Sequence, residues 1–103
     1  MMIVRGVNVF PTQIEEQILK VAGLAPHYQV VLTRPDRLDE MEVLVEVQDR
    51  ELGPDARKAA AGELAHHIKA IVGTSARITI AEPGGVERSQ GKARRVVDKR
   101  PRE

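Results

Sequence analysis

Hydrophobic positions along the chain recur with two different periods. Met41, Val43, Val45 and Val47 alternate with Glu42, Leu44, Glu46 and Gln48, which predicts a strand with one buried and one mostly wet face. Tyr28–Thr33 (YQVVLT) is a second β-rich run, ended by Pro35 and Asp36, and a short polar turn joins the two as an antiparallel hairpin. Ala60, Leu64, Ile68, Ile71 and Val72 recur at helical spacing and predict a helix over Asp55–Val72, with Gly53-Pro54 before it and Gly73 after it. Ile14, Ile18, Val21 and Ala22 mark an earlier helix, stopped by Gly23 and Pro26. Its start has two readings. Thr12 and Glu15 have the spacing of a capping box, and Pro11 suits a first helical residue. Met2–Val4, ended by Arg5-Gly6, and Arg77–Ile80, followed by the turn Pro83-Gly84-Gly85, complete the set as strands.

The order is strand, helix, strand, strand, helix, strand, then a tail. That predicts an α+β fold, a ferredoxin-like βαββαβ sandwich with two helices on a small antiparallel sheet. With 103 residues the chain is one domain, residues 1–103, within which residues 83–103 form a polar, basic end with one apolar pair, Val96-Val97. Tyr28 and Phe10 are its aromatic residues, so the core is aliphatic.

Composition removes several chemistries. Without Cys there is no disulfide framework, zinc-thiolate site, iron–sulfur cluster or cysteine nucleophile. The absence of Cys fits the cytoplasm, the expected location. No apolar run approaches the roughly 18–20 residues of a membrane span, and the start MMIVRGVNVF lacks the pattern of a signal peptide. Charge is divided unevenly. Residues 1–87 hold nine Lys/Arg and thirteen Asp/Glu, whereas residues 88–103 hold seven and two. A mildly acidic body thus carries a basic tail, suited to phosphate, nucleic acid, an acidic surface or simply water.

Most candidate constellations have a bland explanation. GVERSQGK (Gly85–Lys92) fails as a P-loop, because five residues separate its glycines and Ala93 follows the Lys. Adjacent helical residues point about 100° apart, so His66 and His67 do not share an ion. Glu15-Glu16 and Asp39-Glu40 suit a helix start and a solvated turn. Neither Ser75 nor Ser89 has a His nearby in sequence. An RNA-recognition module stacks bases on strand aromatics, and Met2–Arg5 and Met41–Gln48 contain none, so no nucleic acid is expected as a partner.

Two segments together are more specific. MMIVRGVNVFPTQIEE and RSQGKARRVVDKR, with APHYQVVLTR and DEMEVLVEV between them, resemble the C-terminal lid domain of phenylacetate–coenzyme A ligases, adenylate-forming enzymes related to acyl-CoA synthetases. The resemblance covers nearly the whole chain. It implies that Lys92 in Arg88-Ser89-Gln90-Gly91-Lys92-Ala93 is the adenylation lysine, with Arg88, Ser89 and Gly91 forming its loop. It also implies that Val4, Arg5, Gly6, Val7 and Asn8 form the face that meets coenzyme A in the thioester step. Asn8 departs from the Arg that many superfamily members carry there.

ATP and coenzyme A are then substrates of a full enzyme whose N-terminal adenylation domain holds Mg2+ and a small carboxylic acid, phenylacetate or another. That domain and the hinge before Met1 are absent from this sequence, which is an excised domain or a stand-alone remnant. This domain alone is expected to bind no cofactor or metal, to be inactive, and to self-associate through a free strand edge or around Val7, Val9 and Phe10. A ferredoxin-like small-molecule-binding regulatory module and a weak RNA binder are the alternatives.

Overall fold

A computed structural model describes residues 2–86 and 96–100. β1 (Met2–Val4) and β2 (Val7–Val9) form an antiparallel hairpin, with Met2 opposite Val9, Ile3 opposite Asn8 and Val4 opposite Val7. The two-residue turn has φ 51° at Arg5 and 77° at Gly6. Positive φ at both central positions gives the turn a twist matching that of the strands. Met2, Val4 and Val9 face the core, whereas Ile3 and Asn8 face outward.

α1 (Pro11–Leu19) begins with Pro at its first position, which decides between the two expected starts. Thr12 is already inside the first turn, so it cannot cap. The Gln13 Oε1 accepts the Phe10 backbone N–H at 3.2 Å instead. The helix ends three residues before Ala22, with Val21 still buried beyond it.

β3 (Leu24–Thr33) and β4 (Glu40–Val47) form the expected antiparallel hairpin, with Val30 opposite Val43 and Leu32 opposite Met41. β3 starts earlier than expected and carries an irregularity between Leu24 and Tyr28, around Pro26, which has no N–H to give a ladder. α2 (Pro54–Val72) follows, closed by Gly73 at φ 92°, whose N–H reaches the Lys69 carbonyl. β5 (Arg77–Ala81) lies parallel to β4.

The apolar pair of the tail forms β6 (Val96–Asp98), parallel to β3 through Val30–Val96. The larger sheet therefore has the order β5-β4-β3-β6, with β1 and β2 as a separate two-stranded sheet. The architecture is α+β, compatible with a ferredoxin-like sandwich. The first strand pairs with β2 rather than in the larger sheet, and β6 takes the edge beside β3.

Tyr28, Val30, Leu32, Met41, Val43 and Val45 share one core with Ile14, Ile18, Leu64 and Ile68. Both helices contribute to it, and the hairpin adds Met2, Val4 and Val9. Val9 is thus fully buried and not part of an exposed contact surface. Ile3 and Phe10 are the exposed apolar side chains of that corner. Among the described residues no helix is long and apolar enough to cross a membrane, and no group of three His, Asp or Glu is placed to hold a metal ion. His66 and His67 meet edge to face at 6.1 Å, and the His67 Nε2 lies 3.9 Å from Glu63.

Candidate functional site

The residues of the first expected face converge on the β1–β2 turn. Val4 is in the core with no exposure, so it anchors the turn from beneath. Val7 is half-buried, and Arg5, Gly6 and Asn8 sit at the surface. A Cβ at Gly6 would meet nothing within 4 Å. Within this chain the glycine is required by its positive φ, and the space above it stays open.

Arg5 adopts a left-handed conformation that costs a non-glycine residue roughly 1–2 kcal/mol. Three contacts hold it. Its backbone N–H donates to Asp39 Oδ2 at 3.3 Å, its Nε to the Asp39 carbonyl at 2.7 Å, and its Nη1 to Ser75 Oγ at 3.0 Å.

Asp39 is the centre of this corner. Its Oδ1 accepts Arg34 Nε at 2.8 Å, and its Oδ2 accepts Arg100 Nη1 at 3.1 Å. Its carboxyl is held below the usual aspartate range, first by the Arg34 hydrogen bond, against the opposing effect of burial, and then by Arg5 and Arg100. Arg100 also donates from Nη1 to the Ile3 carbonyl at 2.7 Å and pairs with Asp98 at 2.9 Å. The Arg100 side chain and backbone N–H bring Asp98 down to about 2. One carboxylate therefore joins the hairpin turn, the β3–β4 connection and the segment after β6. Beside Arg5 lies an open depression of about 370 Å³, rimmed by Thr33, Glu40, Glu42 and Arg77.

The second expected face falls on residues the structure does not describe: Arg88, Ser89, Gly91 and Lys92 lie outside the described residues. Its two stems are described. Val86 is buried, and Glu46 accepts the N–H of Gly84 on Oε1 and of Val86 on Oε2, both at 2.9 Å. On the other side β6 is laid against β3, and the Lys99 N–H donates to the Leu32 carbonyl at 2.8 Å.

Sequence reasoning missed both carboxylates. Period two puts Glu46 on the face away from the helices, where water is the expected neighbour. It is 1% exposed because the turn after β5 folds over it. Asp39 read as a solvated turn residue because its arginine partners lie at positions 5, 34 and 100. The one signal available was Arg5-Gly6 itself, a tight turn carrying a residue that needs support.

Residues 6–100 match the family model described as AMP-binding enzyme C-terminal domain. The phenylacetate-coenzyme A ligase of Aromatoleum evansii is 45% identical over the whole chain, which covers 24% of that protein. That of Pseudomonas putida is 46% identical over 97% of the chain and 23% of its own length. The chain thus spans about a quarter of the length of the curated relatives it matches.

Among solved structures, a domain of phenylacetate-coenzyme A ligase from Bacteroides vulgatus superposes with TM-score 0.88 at 30% identity, over 98% of this chain and 93% of that one. A 2-hydroxyisobutyryl-CoA ligase, in complex with 2-HIB-AMP and CoA in the thioesterification state, superposes with TM-score 0.84 at 28% identity, over 94% of this chain and 20% of that one. The chain belongs to the AMP-binding enzyme C-terminal domain family, and its relatives are phenylacetate–coenzyme A ligases.

Proposed function

We propose that this chain is the C-terminal lid of an AMP-forming aryl-acid–coenzyme A ligase, phenylacetate being the first acid to test, and that it works in the cytoplasm. Similarity to phenylacetate–coenzyme A ligases along the entire chain carries the proposal. In the first step a carboxylate attacks the α-phosphate of ATP, giving acyl-adenylate and pyrophosphate. In the second, the coenzyme A thiol attacks the acyl carbon and AMP leaves. The N-terminal adenylation domain supplies the acid pocket and Mg2+.

Lys92 serves the first step. Two anions must approach each other, and a compact ammonium with three donors bridges carboxylate and phosphate oxygens. Removing one such contact typically costs about 2.7–4 kcal/mol, roughly 10²–10³ in rate. Arg88, Ser89 and Gly91 shape its loop, and the freedom of Gly91 lets the backbone enter a crowded site.

The lid then rotates and presents the β1–β2 turn. Gly6, with open space above it, lets the pantetheine arm pass close to the backbone of Val4–Asn8. Arg5 and Asn8 are the exposed polar side chains of that turn. Both faces act only against the adenylation domain, so the isolated lid is inactive.

The test joins this chain through an Asp hinge to the adenylation domain of a phenylacetate–coenzyme A ligase. Pyrophosphate release and thioester formation from supplied acyl-adenylate are followed separately. Lys92→Ala is expected to slow the first roughly 10²–10³-fold and spare the second. A folded chimera inert in both halves overturns the assignment.

A further inference from the structure

We infer that Glu46 is a positioning residue for adenylation, fixing the stem from which the Lys92 segment departs. The inference rests on the proposed role of Lys92. Glu46 is a buried carboxylate on β4, opposite Ala81 of β5, a placement that burial penalises unless the charge is well met. An apolar residue at this position would pack without that penalty. What the carboxylate adds is direction. One oxygen takes the N–H of Gly84 and the other that of Val86, so the two arms span the turn and fix its orientation on β4.

The turn itself has little room to adjust. Gly84 stands at φ 86°, and the Gly85 N–H donates to the Glu82 carbonyl at 2.8 Å. A Cβ on Gly85 would lie 2.9 Å from that same carbonyl oxygen.

Lys92 follows Val86 by six residues and precedes Val96 by four. Val96 is fixed by pairing with Val30. Both described flanks, Val86 and Val96, are thus anchored to the sheet, and the Glu46 clamp sets the direction in which the chain leaves Val86. Catalysis by a bridging ammonium is sensitive to such placement, and an error of about 1 Å typically costs on the order of 10²-fold. The β1–β2 turn has its own support at Asp39 and Ser75, independent of Glu46. The two half-reactions should therefore separate at Glu46.

The experiment uses the joined ligase described above, with Glu46→Gln. The amide turns one acceptor into a donor facing a donor, breaking half the clamp at constant shape. Adenylation kcat is expected to fall about 10–100-fold, with KM for ATP and acid within about threefold, and thioester formation from supplied acyl-adenylate unchanged. In a Lys92→Ala background, Glu46→Gln should produce no further loss. Equal slowing of both half-reactions, or an additive loss on Lys92→Ala, would overturn the inference in favour of a purely structural role.

Gly85→Ala displaces the same turn with Glu46 intact and should give the same selective loss. It decides the matter if Glu46→Gln does not fold, and full adenylation by this variant overturns the inference. Lys92→Ala alone separates the two levels. If it leaves adenylation intact, the lid reading of Lys92 fails. If it abolishes adenylation while Glu46→Gln leaves adenylation kcat unchanged, the inference about Glu46 alone fails.

Discussion

Replacing Asp39 by Ala removes three acceptor contacts at once, and their geometry sets the expected loss. The Arg34 bond is short at 2.8 Å, but the Arg34 side chain is one-third exposed, so solvent screens it to at most ~1 kcal/mol. The Arg100 side chain is only 16% exposed, yet it keeps Asp98 and the Ile3 carbonyl after the change, so its share is again ~1 kcal/mol. The Arg5 N–H bond is long at 3.3 Å and adds ~0.5 kcal/mol. The total is about 2.5 kcal/mol, which for a domain of this size lowers Tm by roughly 10–20 °C.

The pH dependence has a definite sign. The folded Asp39 has a depressed pKa, so its stabilisation is complete above the unfolded aspartate value and disappears as pH falls through the folded one. Urea unfolding of the chain at pH 7 should show a lower midpoint with unchanged slope, and the gap between wild type and variant should close well below pH 4. A loss under about 0.5 kcal/mol at pH 7, or one equally large at pH 2, would refute the view that Asp39 acts as an ionised centre.

Three further outcomes are expected. Gly6→Ala meets no neighbour, so its cost is that of the positive φ, about 1 kcal/mol by thermal unfolding, with slowing confined to the thioester half-reaction of the joined ligase. Leu64→Ala opens a cavity beneath the sheet and should cost about 2–5 kcal/mol by denaturant titration, far more than Leu38→Ala at an exposed position. The isolated chain should self-associate with rising concentration in light scattering, through the outer edges of β5 and β6 and the exposed Ile3 and Phe10, and a strict monomer throughout would contradict this.

What was legible in the sequence was what is local. The alternation over Met41–Val47 and the Gly-Pro and Gly punctuation of Pro54–Val72 each express a periodicity that the fold keeps. Val7–Val9 and Val96–Asp98 are strands of three residues, too short to show a period; the first exists because β1 pairs with it across the Arg5-Gly6 turn, the second because distant β3 does. Thr12 has the spacing of a cap, but the fixed φ of Pro11 starts the helix ahead of it. At the candidate site, Gly6 announced its turn through the conformations only glycine adopts freely. Glu46 and Asp39 were hidden because a buried acceptor is defined by donors from distant segments.

The bond from Arg100 to the Ile3 carbonyl closes a separation of 97 residues, and this bears on the order in which the chain assembles. Antiparallel contacts between β3 and β4 close across a short connection and are expected to precede the parallel β4–β5 pairing across α2. The bond from Arg100 to β1 joins segments far apart in sequence and is expected to form in the last stage. Arg100→Ala should therefore accelerate unfolding while leaving the refolding rate nearly unchanged, which stopped-flow kinetics will read directly.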